Sequence, residues 1–321
     1  MALSRRHFNM AAAAAVLGSP AIAQVGGRPV RIVVGFPAGG GLDQVVRVIA
    51  QQMGSQLGQS FIVDNKPGGD GIIAADAAAK AQADGSTIYV GSGQSLIATP
   101  LLRGPSAVPY DPFKDFTPIT QMGLFTLVWV TAPNLPSNSV ADFASYVRAR
   151  PGQLNYAGTN TTTRLAALQF LAQHKLEMAH IPYKGEPPAF TDLMTNRVQM
   201  LVGTLAGVRP YVKDSKMKAL MLQRGARTPA LPEVPTTMEA GANIKISPWS
   251  GIFGPANMPQ AVVTRYSQAY RAAVSGHEVR EQFEQLGFEP VPTTPAEMAA
   301  IHRSEYEVFR KAVQEDGIKF D

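Results

Sequence analysis

The sequence predicts an α/β fold with largely parallel sheets, arranged as two lobes. Short β-rich runs alternate with amphipathic helical stretches, the pattern of repeated strand–helix–strand units. A stretch rich in proline and glycine over 100–118 interrupts this alternation, which restarts after residue 131. The chain has 321 residues, enough for two hydrophobic cores. The interruption and restart indicate two lobes, which separate near 120–125 and rejoin near 222–226.

The first block begins with a buried strand over 30–34 and a glycine-rich turn. A helix is expected over 43–57, because its apolar residues recur at helical spacing on one face. Runs at 61–63 and 87–90 predict two further strands, separated by a helix over about 72–82. The apolar run 124–131 is long enough to cross between lobes.

The second block repeats this order. Apolar runs predict strands and helices in alternation: strands at 154–156, 178–182, 198–202 and 218–222, and helices at 163–173 and 188–195. A second proline-rich connection covers 228–235, and the remaining chain is mostly helical, over about 260–275, 277–286 and 295–313. We find no tandem repeat of fixed period.

The N-terminus has the features of a cleavable export signal. Arg5 and Arg6 precede an apolar run over 10–18, and Ala21-Ile22-Ala23 has the small-residue pattern of a cleavage site. The run is too short to anchor the chain, since a membrane-spanning helix needs about 20 apolar residues. The paired arginines favour the twin-arginine route, with the general secretory route as the alternative. We therefore expect cleavage near Ala23 and a periplasmic mature chain.

Composition excludes several classes of function. The full chain has a formal net charge of +5, and residues 1–23 hold two arginines and no acid, so the mature chain carries +3. No dense Lys/Arg tract indicates a nucleic-acid partner or a polybasic membrane anchor. The chain has no cysteine, which excludes disulfides, thiol chemistry and cysteine metal sites.

The sharpest local motif lies between the first strand and the first helix. Three consecutive glycines allow the backbone to turn its N–H groups inward, and the positive end of the following helix adds to them. Such a turn can hold an anion, and Asp43 can cap the helix. The spacing matches neither the P-loop nor the dinucleotide fingerprint, and a tight turn without ligand is equally open. The candidate binding residues are Phe36, Pro37, Ala38, Gly39, Gly40, Gly41, Leu42 and Asp43.

A second candidate loop occupies the equivalent place in the other block. Threonine hydroxyls and an asparagine amide precede its helix, which is more than capping requires. Arg164 could form a bidentate contact with a carboxylate or lie solvated on the helix surface. The candidate residues are Gly158, Thr159, Asn160, Thr161, Thr162, Thr163 and Arg164.

Other predicted strand ends supply lesser candidates. Ser92 follows the third strand, where α/β sheets place their ligand crevice. Tyr183 and Lys184 follow the strand that ends at Pro182, and Lys184 is equally explained as a surface charge. The glycine-rich turn over 65–71 is more typical of a plain connection.

Enzyme signatures are poor. The chain has no G-x-S-x-G elbow and no H-E-x-x-H motif. Four histidines remain after cleavage, and none stands at metal-ligand spacing from another or from an acid pair. We therefore predict no catalytic residue, no metal site and no cofactor. The alternative is an exported enzyme that acts on an organic acid through Ser92, Lys184 or a histidine.

Several sequence pieces, taken in order, carry a resemblance to a known family. The chain resembles the extracytoplasmic solute-binding receptors of tripartite tricarboxylate transporters, the Bug family, over nearly all of the mature chain. The pieces that carry it are Pro29 to Val34 leading into Phe36 to Gly40, Asn65 to Gly68, Pro109 to Pro112, Asp115 to Pro118, Pro151 to Tyr156, Pro182 to Gly185, Arg227 to Thr236 and Gly251 to Ala256.

The resemblance implies a two-lobed fold of the type II periplasmic binding protein kind, with a ligand cleft between lobes. Lobe 1 would comprise 24–123 and 224–321, and lobe 2 would comprise 124–223. A monomer of this kind holds a small organic acid with loops 36–43 and 158–163, often through ordered waters. It closes by a hinge and delivers the acid to membrane subunits of the transporter. A sensory protein with the same ligand is a further alternative.

Two departures from the family bear on the ligand. The second loop is shorter than usual and has an unusual threonine run. Where many relatives carry an aspartate after the 198–202 strand, this chain has Gly203 and Thr204, which removes a possible partner for an ammonium group. The sequence therefore favours a di- or tricarboxylate, with Thr204 nearby. An aromatic carboxylate stays open, since Phe36 and Leu42 could flank an apolar portion.

Overall fold

The computed structural model describes residues 27–246 and 248–315. The predicted export signal and its cleavage site near Ala23 lie outside the described residues. The strands, in chain order, are β1 (Val30–Val34), β2 (Phe61–Asn65), β3 (Thr87–Ser92), β4 (Phe116–Phe125), β5 (Leu127–Thr131), β6 (Asn155–Gly158), β7 (Ala179–Pro182), β8 (Met200–Thr204), β9 (Lys218–Gln223), β10 (Trp249–Pro255) and β11 (Phe288–Pro290).

Helices connect these strands. In chain order they are α1 (Gly41–Leu57), α2 (Ile72–Ala79), α3 (Thr99–Arg103), α4 (Val140–Arg148), α5 (Thr161–His174), α6 (Glu186–Met194), α7 (Leu205–Lys213), α8 (Gln260–Ala273), α9 (His277–Gln285) and α10 (Pro295–Glu315). Within the described ranges, no helix combines the length and apolar character that crossing a bilayer requires.

The strands form two sheets. The first has the order β11-β4-β10-β3-β1-β2, and the second has the order β7-β6-β8-β5-β9. In the first, β1 runs parallel to β2 and β3, and β10 runs antiparallel to β3 and β4. In the second, β6 runs parallel to β7 and β8, and β5 runs antiparallel to β8 and β9. The predicted α/β fold is confirmed.

The chain crosses from the first sheet to the second at Thr126, between β4 and β5. The Thr126 N–H donates to the Gly287 carbonyl beside the first sheet (2.7 Å), and the Thr126 carbonyl accepts from the Leu205 N–H beside the second (3.0 Å). The chain returns between Gln223 and Trp249. These two connections are the covalent links between the halves.

Helices cover both faces of the first sheet, which explains why β1 is apolar along almost its whole length. Val30, Ile32 and Val34 pack with α1 on one face, and Val33 packs with α2 on the other. The second sheet has its own core around Trp129 and Phe170. Leu231, Val234 and Ala242, from the connection to β10, belong to this second core.

The strand β4 occupies part of the stretch that the sequence analysis treats as an interruption. Its Pro118 lies opposite Phe253 of β10, where the register between the two strands shifts. A proline is tolerated in a strand at such an irregularity because no ladder hydrogen bond is needed from its nitrogen. Local propensity therefore missed a strand that long-range pairing stabilises.

Candidate functional site

Each sheet has a topological switch point. At this point two neighbouring parallel strands are followed by connections that run to opposite sides of the sheet. In the first sheet this point lies between β1 and β3, because the chain goes from β1 to β2 and then back across to β3. In the second it lies between β6 and β8, since the chain goes from β6 to β7 and then to β8. Ligands of open α/β sheets bind at the carboxyl ends of strands at such points. Both predicted loops lie at these places.

The first loop ends at a helix N-terminus that has no side-chain cap. Gly40 is the N-cap residue of α1, with extended backbone (φ −71°, ψ 166°). The hydrogen bond from the Gln44 N–H to the Gly40 carbonyl (3.0 Å) closes the first turn. The N–H groups of Gly41, Leu42 and Asp43 precede it, so helix geometry gives them no intrahelical acceptor. These N–H groups are directed out of the helix N-terminus, where the positive end of the helix dipole also favours an anion.

Asp43 fixes the shape of this loop. Its carboxylate is 1% exposed and accepts hydrogen bonds from the Gly39 N–H (2.8 Å), Arg47 Nε (2.8 Å) and Asn65 Nδ2 (2.9 Å). Burial raises the pKa of Asp43, but the hydrogen bonds from Arg47, Gly39 and Asn65 outweigh it, so the pKa is lowered. Asp43 lies in the first turn and reaches back to Gly39, whereas the sequence analysis expected it to cap the helix. Its acceptor capacity is used within the protein.

The other loop residues divide by exposure. Pro37, Ala38, Gly39 and Gly40 are exposed, whereas Phe36 is partly buried against the first core. The side chain of Leu42 belongs to that core, so only the backbone N–H of Leu42 is left to contact a ligand at the loop. Gly39 has a φ of +81°, which favours glycine at this position.

The carboxyl end of β3 lies beside the first loop's strand. Ser92 is 8% exposed, and its hydroxyl lies 3.4 Å from that of Ser95. Tyr89 donates to the Ser95 hydroxyl (2.7 Å), which fixes this turn. Since β10 is antiparallel to β3, its first residues lie at the same edge, with Ser250 opposite Ser92.

The start of β10 brings two polar groups that the sequence analysis missed. Trp249 Nε1 and the Ser250 hydroxyl are buried, and neither has a hydrogen-bond partner among the described residues. A Cβ on Gly93 would lie 3.0 Å from Trp249 Nε1, so the indole lies directly against the turn after β3. No local motif identifies these residues, because only long-range pairing brings them to this edge.

The second loop is capped by Asn160. Its side chain accepts from the Thr163 N–H (3.0 Å), and the Thr163 hydroxyl donates to the Asn160 carbonyl (3.1 Å). The Thr159 hydroxyl lies 3.3 Å from the Thr163 hydroxyl. Thr161 and Thr162 are partly buried in the first turn of α5, and their hydroxyls take no part in these capping bonds.

Arg164 lies near two aromatic side chains, the buried Tyr156 and the partly exposed His180. Burial raises the pKa of Tyr156, and a hydrogen bond from Arg164 partly offsets the rise. The His180 ring packs against Tyr156 in a tilted arrangement, with ring centroids 5.2 Å apart. Burial, together with the Arg164 charge, lowers the pKa of His180 to about 4. A Cβ on Gly158 would collide with His180 Nε2, so this strand end needs a glycine.

Tyr183 and Thr204, at the ends of β7 and β8, have partners within the protein. The Tyr183 hydroxyl donates to Asp192 Oδ2 (2.7 Å), and burial, with a smaller contribution from Asp192, raises its pKa to about 12. Thr204 is the N-cap of α7 and accepts from the Gly207 N–H (3.3 Å). The Glu186 carboxylate accepts from both the N–H (2.6 Å) and the hydroxyl (2.9 Å) of Thr204. The sequence analysis missed Glu186, although an acid at the first position of a helix is a recognisable signal.

A groove elsewhere lies along α1 and the edge strand β2. It is lined by residues such as Arg47, Gln51, Ser55, Gln59 and Phe61. It runs beside the sheet rather than at the carboxyl ends of its parallel strands, so it is not the candidate site. In the part of the chain that the structure describes, no three His, Asp or Glu side chains form a metal-binding group.

Comparison with known proteins identifies the family of this chain. The family model described as "Tripartite tricarboxylate transporter family receptor" (TctC) matches residues 45–317. BugT of Bordetella pertussis is 31% identical over 295 residues, which cover 91% of this chain and 90% of BugT.

Solved structures show the same fold. A Rhodopseudomonas palustris protein, Rpa4515 with adipate, has a TM-score of 0.83 and 30% identity, covering 91% of this chain and 98% of that protein. MatC from the same organism, with bound malate, has a TM-score of 0.78 and 28% identity, covering 89% of this chain and 99% of MatC.

The two sheets and their paired strand-end loops define the class of two-lobed α/β binding proteins, as the sequence predicted. Within that class, the chain belongs to the tripartite tricarboxylate transporter receptor family, which includes the Bug proteins. It is therefore a solute-binding receptor by family.

Proposed function

We propose that this chain captures a small organic acid between its two strand-end loops and delivers it to the membrane subunits of a tripartite tricarboxylate transporter. The observation that carries the proposal is the pair of helix N-termini, of α1 and α5, one at each sheet's switch point. The N-terminus of α1 lacks a side-chain cap, so its N–H groups are available to a carboxylate. The related proteins with adipate and malate support a carboxylate, and specifically a dicarboxylate.

In the proposed mechanism each loop holds one end of the ligand. The N–H groups of Gly41 and Leu42 donate hydrogen bonds to the first carboxylate, directly or through ordered waters. The hydroxyls of Thr161 and Thr162, with the N-terminus of α5, hold the other end of the acid. The acid is released chemically unaltered, and no catalytic group is required.

Closure follows from the two connections between the halves. We propose that lobe 1 begins with 24–123 and that lobe 2 comprises 124–223 together with the connection 224–246, with hinges at Thr126 and just before β10. The connection 224–246 moves with lobe 2, because Leu231, Val234 and Ala242 pack in its core. The remainder, from β10 to the C-terminus, completes lobe 1.

Export and assembly complete the proposal. The signal over 1–23 directs the chain to the periplasm by the twin-arginine route, with cleavage near Ala23. The mature protein acts as a monomer and meets the transporter there.

Thermal unfolding of the mature chain, refolded from denaturant to remove bound ligand, tests the function. A ligand at 100 times its Kd adds about 2.7 kcal/mol to the free energy of unfolding. That corresponds to a shift of a few degrees in Tm for a chain of this size. We expect one or more carboxylates to give this shift and to be recovered intact. Consumption of the acid would instead establish an enzyme, and the absence of any carboxylate hit would contradict the proposal.

A further inference from the structure

A carboxylate of the protein itself lies at the switch point of the second sheet. Glu186 is the first residue of α6, yet its side chain reaches Thr204, which ends β8 and caps α7. One oxygen accepts from the Thr204 N–H (2.6 Å) and the other from the Thr204 hydroxyl (2.9 Å). A Cβ on Gly207 would lie 2.5 Å from Glu186 Oε2, so the absence of a side chain there leaves room for the carboxylate.

This position is adjacent to the second candidate loop. The strand β8 pairs directly with β6, whose carboxyl end leads into loop 158–163. Glu186 is partly exposed, and it binds Thr204 at the carboxyl end of β8, next to the strand that leads into that loop. Each of its oxygens has one bond from Thr204, and a carboxylate offers about four acceptor positions in all.

The carboxylate of Glu186 lies apart from the ion pairs of the described part of the chain. Among the described residues, no lysine or arginine forms an ion pair with it. Burial raises the pKa of Glu186, and the two hydrogen bonds from Thr204 offset part of that rise. The N-termini of α6 and α7 are the positive groups beside it.

We propose that Glu186 determines specificity by filling the anion position at the N-terminus of α7, which excludes a third ligand carboxylate and favours a hydroxyl or ammonium group there. The inference rests on the proposed function and selects among its ligands. The Thr204 donors that a ligand carboxylate would use are already bound to Glu186, and a second carboxylate would meet a like charge. A hydroxyl or ammonium group can instead donate to the remaining acceptor positions. Gly203 and Thr204 predict that this end of the site lacks an acid, whereas the structure shows that Glu186 supplies one from the neighbouring connection.

Acids that share one skeleton test the proposal. Succinate, malate, aspartate and ethane-1,1,2-tricarboxylate differ at one carbon by hydrogen, hydroxyl, ammonium and carboxylate, and the glutarate and adipate series extend the set. Affinities are measured by titration calorimetry on the refolded mature chain. For wild type, we expect the tricarboxylate of the best-binding series to bind at least about tenfold more weakly than its hydroxy or amino counterpart. Binding of the tricarboxylate as tightly as its parent dicarboxylate would overturn the inference without any variant.

Glu186→Gln keeps the shape of the side chain and removes its charge. We expect the ratio between tricarboxylate and dicarboxylate affinity to rise by about tenfold or more in this variant. Glu278→Gln is the matched control, because Glu278 is an exposed acid in the first turn of α9, away from the strand ends, and it should leave the ratio unchanged. A folded Glu186→Gln protein that loses stability but keeps the wild-type ratio would show that Glu186 only caps α7. If no carboxylate binds wild type at all, the proposed function itself fails.

Discussion

At the scale of single residues, Asp43 joins three parts of the first loop. Its carboxylate binds the Gly39 N–H, Arg47 and Asn65, and Asn65 also donates to the Phe36 carbonyl (3.1 Å). We expect Asp43→Ala to lower the free energy of unfolding by about 2–3 kcal/mol, because the buried carboxylate and its three hydrogen bonds are lost. Denaturant unfolding measures the loss. Asp214→Ala, which removes an exposed ion pair with Lys216, should change it by about 0.5 kcal/mol or less.

The contribution of Asp43 should depend on pH in a defined direction. Its pKa in the folded protein is lower than the ordinary 3.8, so on acidification the unfolded chain takes up this proton first. The stabilisation is therefore complete above the ordinary pKa and is lost as the pH falls through the folded pKa. The difference between wild type and Asp43→Ala should shrink below pH 4 and stay constant above about pH 6. A difference that persists unchanged in strong acid would assign the effect to packing.

Gly40 tests whether the first loop touches the ligand. A Cβ at Gly40 would lie 3.4 Å from the Pro37 carbonyl, an ordinary contact, and the backbone there is extended, so Gly40→Val should fold. The side chain would obstruct approach to the N–H groups of α1, and we expect a loss of about 2 kcal/mol, or roughly 30-fold, in carboxylate affinity. Gly276→Val is the control, since Gly276 is also an extended N-cap glycine, at α9. Equal affinity in both variants would remove loop 36–43 from the site.

Residue patterns predicted the two loops but not the side chains that other parts of the chain bring next to them. The glycine run before α1 and the polar run before α5 are local signals, and the structure places both at switch points. Glu186 and Trp249 come from elsewhere in the chain, and only the order of strands brings them to the same edges. The partners of Arg164 likewise depend on the pairing of Tyr156 with His180 between β6 and β7.

At the scale of elements, apolar runs and helical spacing predicted most of the parallel strands. The runs at 30–34 and 198–202 are buried on both faces and bounded by turns, so hydrophobicity alone identifies them as β1 and β8. The strands β4, β10 and β11, and the helices α3, α4 and α7, were not predicted. All seven residues of β10 are buried, and its side chains belong to the cores on both faces of the sheet, so the strand shows no alternation of polarity. Burial of that kind depends on the assembled sheet.

The contact between β10 and the turn after β3 gives a spectroscopic prediction. The chain has two tryptophans. Trp249 lies against Gly93 and in the same buried cluster as Leu165 of α5, whereas Trp129 lies inside the second core and donates to Gln223 (3.4 Å). Ligand binding should therefore change the fluorescence of Trp249. The change should persist in Trp129→Phe and disappear in Trp249→Phe, and the opposite pattern would contradict this arrangement of the cleft.

At the scale of the whole molecule, an ion pair joins the halves away from the loops. Arg224, just after β9, binds Glu284 of α9 (3.0 Å) and lies 3.8 Å from Glu289 of β11. Thr228 also donates to Glu284. Burial raises the pKa of Glu284, but the bonds from Thr228 and Arg224 more than compensate, so the pKa is lowered. This cluster fixes how the connection after β9 meets the first sheet.

Removing Arg224 should weaken that link. Its side chain is 13% exposed, so Arg224→Met leaves Glu284 partly buried without its cation, and we expect a loss of about 1–3 kcal/mol in unfolding free energy. Arg227→Met removes a half-exposed pair with Glu239 and should cost about 1 kcal/mol or less. Equal losses in the two variants would show that the Arg224 cluster does not hold the halves together.

The central claim is that one organic acid contacts both strand-end loops. A crystal structure of the ligand-stripped chain with its most stabilising carboxylate tests this most directly. We expect one carboxylate at hydrogen-bond distance from the N–H groups of Gly41 or Leu42, directly or through one water, and another part of the same molecule against Thr161 or Thr162. An acid that touches only one loop, or that lies in the groove beside α1 and β2, would contradict the account.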